Sequence, residues 1–259
     1  LVDLGIKSVA LFPVINANKK DADGSEAINN NNLLCTAIKE IKSAVPEIII
    51  ISDVALDPYT THGHDGILIN DYVDNDKTLD QLVKQSIALA KSGADILAPS
   101  DMMDGRIKSI RKALEANDYK NTILLSYAAK YSSKFYGPFR NAVGSSSNLG
   151  KSSKAEYQMD VANSDEALHE VALDLSEGAD IVMVKPGMPY LDIITKVKDT
   201  FNVPTFAYQV SGEYSMLKSA INNQWLESDV IIESLLCFKR AGADAVLTYA
   251  AKEIIKELN

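Results

Sequence analysis

Two lysines stand at the ends of short apolar segments, where an amine can act as a nucleophile. Lys130 ends the segment 126–130, and Lys185 ends the segment 180–185, directly before a Pro-Gly pair. A lysine that ends a buried strand is partly desolvated, which disfavours the ammonium and leaves a free amine able to attack a carbonyl carbon. A lysine whose charge simply reaches solvent is the alternative for either residue alone. Because two such lysines end neighbouring strands, the sequence predicts Schiff-base chemistry.

A polar segment between residues 52 and 66 contains a second group of reactive side chains. Three aspartates and two histidines fall close together in it: Asp53, Asp57, His62, His64 and Asp65. Carboxylate oxygens and imidazole nitrogens bind metal ions, and the same groups bind polar substrates. An ordinary polar loop is the alternative, since two histidines separated by one residue are a weak indication of a metal site.

Residues 131–154 form a long polar segment that contains three lysines and an arginine. Loops of this length in compact domains are usually either lids or disordered. A lid that carries cations suits a carboxylate substrate, because arginine pairs with a carboxylate through two hydrogen bonds. We therefore expect a substrate with a carboxylate, and disorder of the segment is the alternative.

Later strand ends offer Tyr208, Ser211, Glu213 and Tyr249. Ser211 begins a segment of helical pattern, where the backbone amides and the helix dipole favour an anion. The alternative is that Ser211 only caps the helix.

Seven short runs rich in valine and isoleucine alternate with amphipathic helical segments. They lack a clean alternation of apolar and polar residues, which is typical of strands buried on both faces. The predicted strands are Ser8–Phe12, Ile48–Val54, Asp95–Pro99, Thr122–Tyr127, Asp180–Val184, Thr205–Val210 and Asp244–Tyr249.

Three predicted helices end in the same Gly-Ala-Asp sequence, beginning at Gly93, Gly178 and Gly242. A glycine that ends a helix just before a buried strand, used repeatedly, indicates one repeated unit and a parallel sheet. A closed parallel barrel has eight strands, so we expect the first strand to lie upstream of Leu1. The prediction is a single (β/α)₈ TIM barrel over residues 1–259. An open doubly wound sheet is the alternative, but no glycine-rich phosphate loop follows any predicted strand.

Composition excludes several classes of function. The 259 residues are 46% hydrophobic and 24% charged, which excludes global disorder, and their formal net charge is −9. An acidic chain without a basic block is a poor candidate for binding nucleic acid or an anionic membrane. The two cysteines form neither a disulfide framework nor a metal motif. No signal peptide is recognisable, so we expect a cytoplasmic location, or the stroma of an organelle.

Four segments together resemble the porphobilinogen synthase family, also called 5-aminolevulinate dehydratases. They are residues 98–106, 135–140, 183–190 and 209–214, and the similarity extends over essentially the whole chain. The resemblance implies a barrel with an N-terminal arm and a homo-oligomer, commonly an octamer. It also implies condensation of two 5-aminolevulinate molecules to porphobilinogen, with loss of water, in tetrapyrrole and haem biosynthesis.

The resemblance also implies roles for individual residues. Lys185 and Lys130 would form Schiff bases with the two substrate ketones, and Asp53 would transfer protons. Other positions match substrate-binding groups: Arg140, Lys154 and Gln158 at one carboxylate, Ser211 and Tyr249 at the other, Tyr136, Phe139 and Tyr208 as pocket walls, and Ser100 as a polar neighbour.

The metal positions depart from the zinc-dependent branch of the family. That branch has three cysteines where this chain has Ala55, Asp57 and Asp65, and a tight zinc site is not expected without thiolates. The resemblance is to the aspartate-rich branch, which uses Mg²⁺ and sometimes a monovalent cation. Asp57 and Asp65 would hold a hard cation or act without one, and Glu213 matches an allosteric Mg²⁺ ligand.

Two other functions remain open from the sequence. A barrel that resembles a class I aldolase needs only one imine-forming lysine, and a catalytically silent barrel subunit needs none. The second strand-end lysine, Lys130, and the cationic segment both argue against these alternatives.

Overall fold

The computed structural model describes residues 1–143 and 153–258, with the side chains of all of them except residues 140, 141, 143 and 256–258. Nine strands occur in these ranges: β1 (Ser8–Leu11), β2 (Ile49–Val54), β3 (Ile67–Ile69), β4 (Tyr72–Asp74), β5 (Ile96–Pro99), β6 (Ile123–Lys130), β7 (Ile181–Lys185), β8 (Thr205–Tyr208) and β9 (Ala245–Leu247). The α-helices there are α1 (Leu33–Ala44), α2 (Asn75–Ser92), α3 (Arg106–Ala116), α4 (Gly137–Val143), α5 (Asp165–Glu177), α6 (Leu191–Phe201), α7 (Ser211–Asn222), α8 (Val230–Arg240) and α9 (Ala251–Leu258).

Seven of the strands form one parallel sheet in the order β1-β2-β5-β6-β7-β8-β9. Each strand pairs with the next one in chain order, apart from the small β3–β4 pair, and helices lie between them. The sheet curves into a nearly closed barrel, and β1 and β9 lie on opposite sides of a groove. The predicted parallel barrel is therefore confirmed, with seven strands in the described residues.

Apolar residues cover both faces of the barrel strands. In four strands, neighbouring residues enter different hydrophobic clusters, so Ile51 faces the barrel interior while Ile50 faces the helices. The same alternation occurs at Ile96 and Leu97, Leu125 and Leu124, and Met183 and Val182. Side chains of a strand alternate between its faces, and burial of both faces accounts for the lack of a regular apolar–polar alternation in the sequence.

The Gly-Ala-Asp sequences make one repeated junction. Gly93, Gly178 and Gly242 adopt the left-handed conformation, with φ of 104°, 105° and 103°, as expected of glycines that end helices.

The aspartate of each junction accepts a backbone N–H at the start of the preceding barrel strand. Asp95 binds Ile50, Asp180 binds Leu124 and Asp244 binds Thr205, each at 2.8 Å from donor nitrogen to acceptor oxygen. A cation pairs with each carboxylate, namely Lys42, Arg111 and Lys198. Each repeat of the sequence thus ends a helix, binds the start of the preceding strand and forms an ion pair. These junctions lie at the end of the barrel away from the two lysines.

Two features of the fold differ from the prediction. Strand β6 continues beyond the predicted end at Tyr127 as far as Lys130, because Ala128 and Ala129 are also fully buried. The hairpin of β3 and β4 was not predicted. Its two-residue turn has positive φ at Asn70 (51°) and Asp71 (66°), as a type I′ turn requires.

Across the described residues, every helix is too short or too polar to cross a lipid bilayer.

Candidate active site

The two lysines lie side by side at one end of the barrel. Lys130 is the last residue of β6, Lys185 is the last residue of β7, and the two are paired in the register of these strands. Because the barrel strands are parallel, their carboxyl ends meet at one rim. A cavity at this rim is lined by the predicted site residues Asp53, Asp57, Asp65, Ser100, Lys130, Tyr136, Phe139, Lys154, Gln158, Lys185, Tyr208, Ser211 and Tyr249.

Four aromatic rings surround the Lys185 nitrogen. The distances from Nζ to the ring centroids are 4.6 Å for Tyr208, 5.0 Å for Tyr127, 5.4 Å for Tyr136 and 5.7 Å for Phe139. Ring faces attract a cation within about 6 Å. Burial, followed by the positive charge of Lys130, nevertheless lowers the pKa of the Lys185 amine to about 7. A large fraction of Lys185 is therefore a neutral amine near neutral pH.

Lys130 is buried and has a different environment. Its nitrogen donates a hydrogen bond to the backbone carbonyl oxygen of Ser100, the residue that follows β5. Strand β5 lies next to β6, and the Ser100 amide in turn donates to the carbonyl of Val54 on β2 at 3.1 Å. Lys130 is therefore oriented by the backbone of a neighbouring strand end.

Asp53 supplies a carboxylate next to both lysines. Burial, followed by repulsion from Asp57, raises the pKa of Asp53 to about 7, while Lys185 and a hydrogen bond with the Ser100 side chain oppose the increase. Among the described residues, Oδ1 of Asp53 is buried and has no hydrogen-bond partner. A carboxylate with one unoccupied oxygen and a pKa near 7 is suited to accepting and releasing a proton.

Lys154 occupies the place that was expected for a metal ion. Its nitrogen lies 2.9 Å from Oδ2 of Asp57 and 3.0 Å from Oδ1 of Asp65, and its side chain is buried. Burial alone would favour the neutral amine, but the two aspartates raise the pKa of Lys154 above its usual value. Burial alone would also raise the pKa of Asp65, yet Lys154 holds it below its usual value.

This arrangement does not fit Mg²⁺ or a monovalent cation between Asp57 and Asp65. The Lys154 ammonium already neutralises the pair, and a second cation would lie against it. The described part of the chain also brings no three His, Cys, Asp or Glu side chains together in a way that would hold a metal ion. The residues present therefore do not fit the cation that was expected between Asp57 and Asp65, and no chemical step is assigned to a metal there.

The surroundings of Glu213 do not fit the allosteric Mg²⁺ that the resemblance implies there. Its side chain is fully buried, and its carboxylate accepts backbone N–H groups from Val210 at 2.7 Å, Met188 at 2.5 Å and Gly187 at 3.3 Å. Burial raises the pKa of Glu213 to about 7, and these hydrogen bonds oppose the increase. Glu213 thus connects the start of α7 to the turn that follows Lys185, and it has no surface on which a hydrated Mg²⁺ would fit.

The polar groups predicted for the second carboxylate, Ser211 and Tyr249, follow β8 and β9 and line the same cavity. The Ser211 hydroxyl oxygen accepts the N–H of Phe139 at 3.0 Å, which leaves its own O–H available. Ser211 is the first residue of α7 and not its cap, because Val210 occupies the N-cap position. The Tyr249 hydroxyl is 3.4 Å from that of Tyr208.

Sequence reasoning missed two aromatic residues of the site. Tyr127 is one of the four rings around Lys185, and Phe12 lines the cavity and meets Phe139 edge to face with ring centroids 5.6 Å apart. The available signal for Tyr127 is its position in β6, three residues before Lys130 at the end of that strand. Arg140 lies in α4, but its side chain and residues 144–152 of the expected lid are outside the described residues.

The side chains that line the cavity are suited to reactions of carbonyl compounds that carry a carboxylate. Two lysines on adjacent strands reach one space, and one of them has a lowered pKa. A carboxylate suited to proton transfer lies beside them, and cationic and hydroxyl groups available to anions lie around them.

Comparison with known proteins agrees with this chemistry. The family model for delta-aminolevulinic acid dehydratase matches residues 1–257. The chain belongs to the delta-aminolevulinic acid dehydratase family. The dehydratase of Bradyrhizobium diazoefficiens is 55% identical over 256 residues, which cover 98% of this chain and 72% of that protein. The dehydratase of Methanothermus sociabilis is 52% identical over 258 residues, which cover 100% of this chain and 79% of that protein.

A solved dehydratase structure extends the agreement to three dimensions. The delta-aminolevulinic acid dehydratase of Toxoplasma gondii, crystallised with its reaction product porphobilinogen, superposes with a TM-score of 0.97 at 47% sequence identity. The superposition covers 99% of this chain and 73% of that one. The resemblance seen in the sequence motifs of the dehydratase family is therefore confirmed.

Proposed function

We propose that the chain is a hydro-lyase that condenses two molecules of 5-aminolevulinate to porphobilinogen in tetrapyrrole and haem biosynthesis. The observation that carries the proposal is the pair of strand-end lysines, Lys130 and Lys185, in one cavity with Asp53. Family membership supports it, as does the porphobilinogen bound by the Toxoplasma gondii relative.

The two lysines form imines with the two substrate ketones. Each amine adds to a ketone carbon, and the ketone oxygen leaves as water when the C=N bond forms. A protonated imine withdraws electrons from the adjacent carbon, so that a base can remove a proton there and produce an enamine. Asp53 carries out this proton transfer, since its pKa of about 7 allows both protonation states near neutral pH.

Two bonds then join the substrates. The enamine carbon of the first substrate attacks the imine carbon of the second, and the lysine bound to the second substrate leaves as an amine. The amino group of the second substrate then attacks the imine carbon of the first, which releases the lysine bound to the first substrate. Loss of protons from the ring gives the pyrrole. The two ketone oxygens have left as two water molecules, and both lysines are regenerated.

The substrate carboxylates bind on two sides of the reacting carbons. An ammonium has three N–H donors, and Lys154 gives two of them to Asp57 and Asp65. The third is available for one carboxylate, together with Gln158 and Arg140. The hydroxyls of Ser211 and Tyr249 bind the other carboxylate, Tyr136, Phe139 and Tyr208 enclose the substrates, and the Ser100 side chain supports Asp53.

We propose that catalysis needs no zinc, because Ala55, Asp57 and Asp65 supply no thiolate. The proposal includes an activating Mg²⁺ only at a site other than the Asp57–Asp65 pair and Glu213, because the surroundings of these residues do not fit the ion. The proposal further includes a homo-octamer in the cytoplasm, or in the stroma of a plastid, as the family resemblance implies. Similar relatives include the chloroplastic dehydratase of Glycine max, 50% identical over 251 residues.

The test is to trap the imines. The protein is incubated with 5-aminolevulinate, reduced with borohydride and digested, and the modified lysines are identified by mass spectrometry. Adducts are expected on both Lys185 and Lys130. The control variant Lys120→Met removes an exposed lysine and should leave both adducts unchanged.

Each other outcome contradicts part of the proposal. An adduct on Lys185 alone, with turnover retained in Lys130→Met, would support an aldolase-like mechanism with one imine. Absence of both adducts from folded protein would support the silent barrel subunit.

A further inference from the structure

A buried ionic cluster lies behind Lys130, outside the cavity. Arg106 at the start of α3 is 2% exposed, and its guanidinium binds both oxygens of Asp174 on α5, at 3.3 and 3.2 Å. It also donates to Oγ of Ser126 on β6 at 3.1 Å. A second carboxylate, that of fully buried Asp101, places Oδ2 at 3.8 Å from Nε of Arg106. None of these residues takes part in the mechanism described above.

The cluster holds the turn that carries the hydrogen-bond acceptor of Lys130. Asp101 directly follows Ser100, and its Oδ1 accepts the N–H of Met103 at 2.8 Å. Arg106 donates to the carbonyl of Met103 at 3.2 Å. Met102, which lies between Asp101 and Met103, has a φ of 73°. This conformation costs energy for a residue other than glycine and persists only when its surroundings impose it.

Arg106 connects this turn to the strand that ends in Lys130. Its partner Ser126 lies on β6, and Ser126 also bonds to Asp174. Acceptor and donor of the hydrogen bond between Ser100 and Lys130 are therefore held relative to one another by a single guanidinium. Burying two carboxylates and a guanidinium adds little net stability over apolar residues of the same size, so a positional role accounts for the cluster better than stability does.

The charge of Asp101 also acts on Lys130. Burial raises the pKa of Asp101 to about 6, and the opposing influences that lower it are Arg106, the Met103 amide and Lys130. A protonated imine on Lys130 keeps one N–H, which the Ser100 carbonyl can accept, whereas a neutral imine has no N–H to donate.

We propose that Asp101 and Arg106 are positioning residues for Lys130, which fix the Ser100 carbonyl as the acceptor for the N–H of the protonated imine on that lysine. The supported step consumes the Lys130 amine, one ketone and one proton. It yields the protonated imine and a water that carries the ketone oxygen. The inference rests on the proposed function, in which Lys130 forms an imine.

The test measures imine formation at each lysine separately. Borohydride-trapped adducts of 5-aminolevulinate are followed over time at Lys130 and at Lys185 in the wild type, Asp101→Asn and Arg106→Lys. Asparagine keeps the oxygen that accepts the Met103 N–H but loses the charge, and lysine keeps the charge of Arg106 but loses its fork of donors. We expect adduct formation at Lys130 to slow by a factor of about ten or more in both variants, with Lys185 changed less than about twofold.

Asp95→Asn is the matched control. Asp95 lies at the other end of the same strand β5, where it also accepts a backbone N–H and pairs with a cation. Its substitution should lower thermal stability and slow neither adduct selectively. Equal slowing at both lysines in Asp101→Asn and Arg106→Lys, or no slowing in either, would overturn the inference. Absence of a Lys130 adduct in the wild type would instead refute the proposed function.

Discussion

The Lys185 nitrogen lies between a positive and a negative neighbour, and replacing each neighbour should shift its pKa in opposite directions. Burial and the charge of Lys130 lower this pKa, while the charge of Asp53 raises it. Asp53→Asn should therefore lower the pKa of Lys185 further, and Lys130→Met should raise it. Both variants lose turnover under the proposed mechanism, so the measurement must follow imine formation instead of product.

The size of the effect follows from the shift itself. With its ordinary pKa of 10.5, a lysine is a free amine in roughly one molecule in 3,000 at pH 7, whereas with a pKa of about 7 about half of the molecules are free amine. A charge at about 4–6 Å shifts a pKa by about 1–3 units. We expect a pKa of about 6 or lower for Lys185 in Asp53→Asn and of about 8 or higher in Lys130→Met.

The assay uses 4-oxopentanoate, which has the ketone and carboxylate of the substrate but no amino group. It can form an imine but cannot complete the ring. The rate of borohydride-trapped adduct at Lys185 is measured from about pH 5 to about pH 9 in the wild type and both variants. The remote variant Lys120→Met should keep the wild-type midpoint. Midpoints that move in the same direction, or that do not move, would refute the assignment of opposing charges around Lys185.

Three further predictions concern Lys154, the metal requirement and the packing of α7. Lys154→Met leaves the carboxylates of Asp57 and Asp65 buried without a cation, so the free energy of unfolding should fall by about 3–5 kcal/mol. Added Mg²⁺ should raise the melting temperature of this variant by more than that of the wild type, and an equal rise in both would contradict the role given to the ammonium. Zinc-selective chelators should leave turnover unchanged, and a loss restored only by zinc would contradict the oxygen-only donor set. Gly212→Ala should lower the free energy of unfolding in urea by about 1–3 kcal/mol, although alanine usually favours a helix over glycine, because the new Cβ would lie 2.3 Å from the carbonyl oxygen of Phe135. Unchanged stability of Gly212→Ala would show that α7 can move away from Phe135.

The fold was largely predictable because its signals are local. The seven buried runs became strands, and the glycines at positions 93, 178 and 242 ended helices as their sequence indicated. The β3–β4 hairpin was not predicted, although Asn70 and Asp71 are residue types that tolerate the positive φ of a hairpin turn. Each of its strands has only three residues, which is too short for an apolar–polar alternation to identify it.

The candidate site was predictable only for residues whose positions follow from the order and direction of the strands. Parallel strands bring their carboxyl ends together, so residues at those ends meet without any knowledge of packing. The pairing of Lys154 with Asp65 spans 89 residues, and that of Arg106 with Asp174 spans 68. No local pattern shows which side chains meet at such separations. The surroundings of Glu213 could not be predicted for a related reason, because its partners are backbone amides, which residue types do not reveal.

The product of the proposed reaction is unsymmetrical although its two substrates are identical, so the site must treat them differently. The structure provides the difference at the two lysines. Burial and the like charge of Lys130 favour the neutral amine of Lys185, whereas the nitrogen of Lys130 is bound to the backbone carbonyl of Ser100. One position thus favours a free amine that attacks a ketone, and the other holds its nitrogen against a fixed acceptor. Exchanging the two environments, and not merely weakening one of them, would be needed for the two substrates to exchange roles.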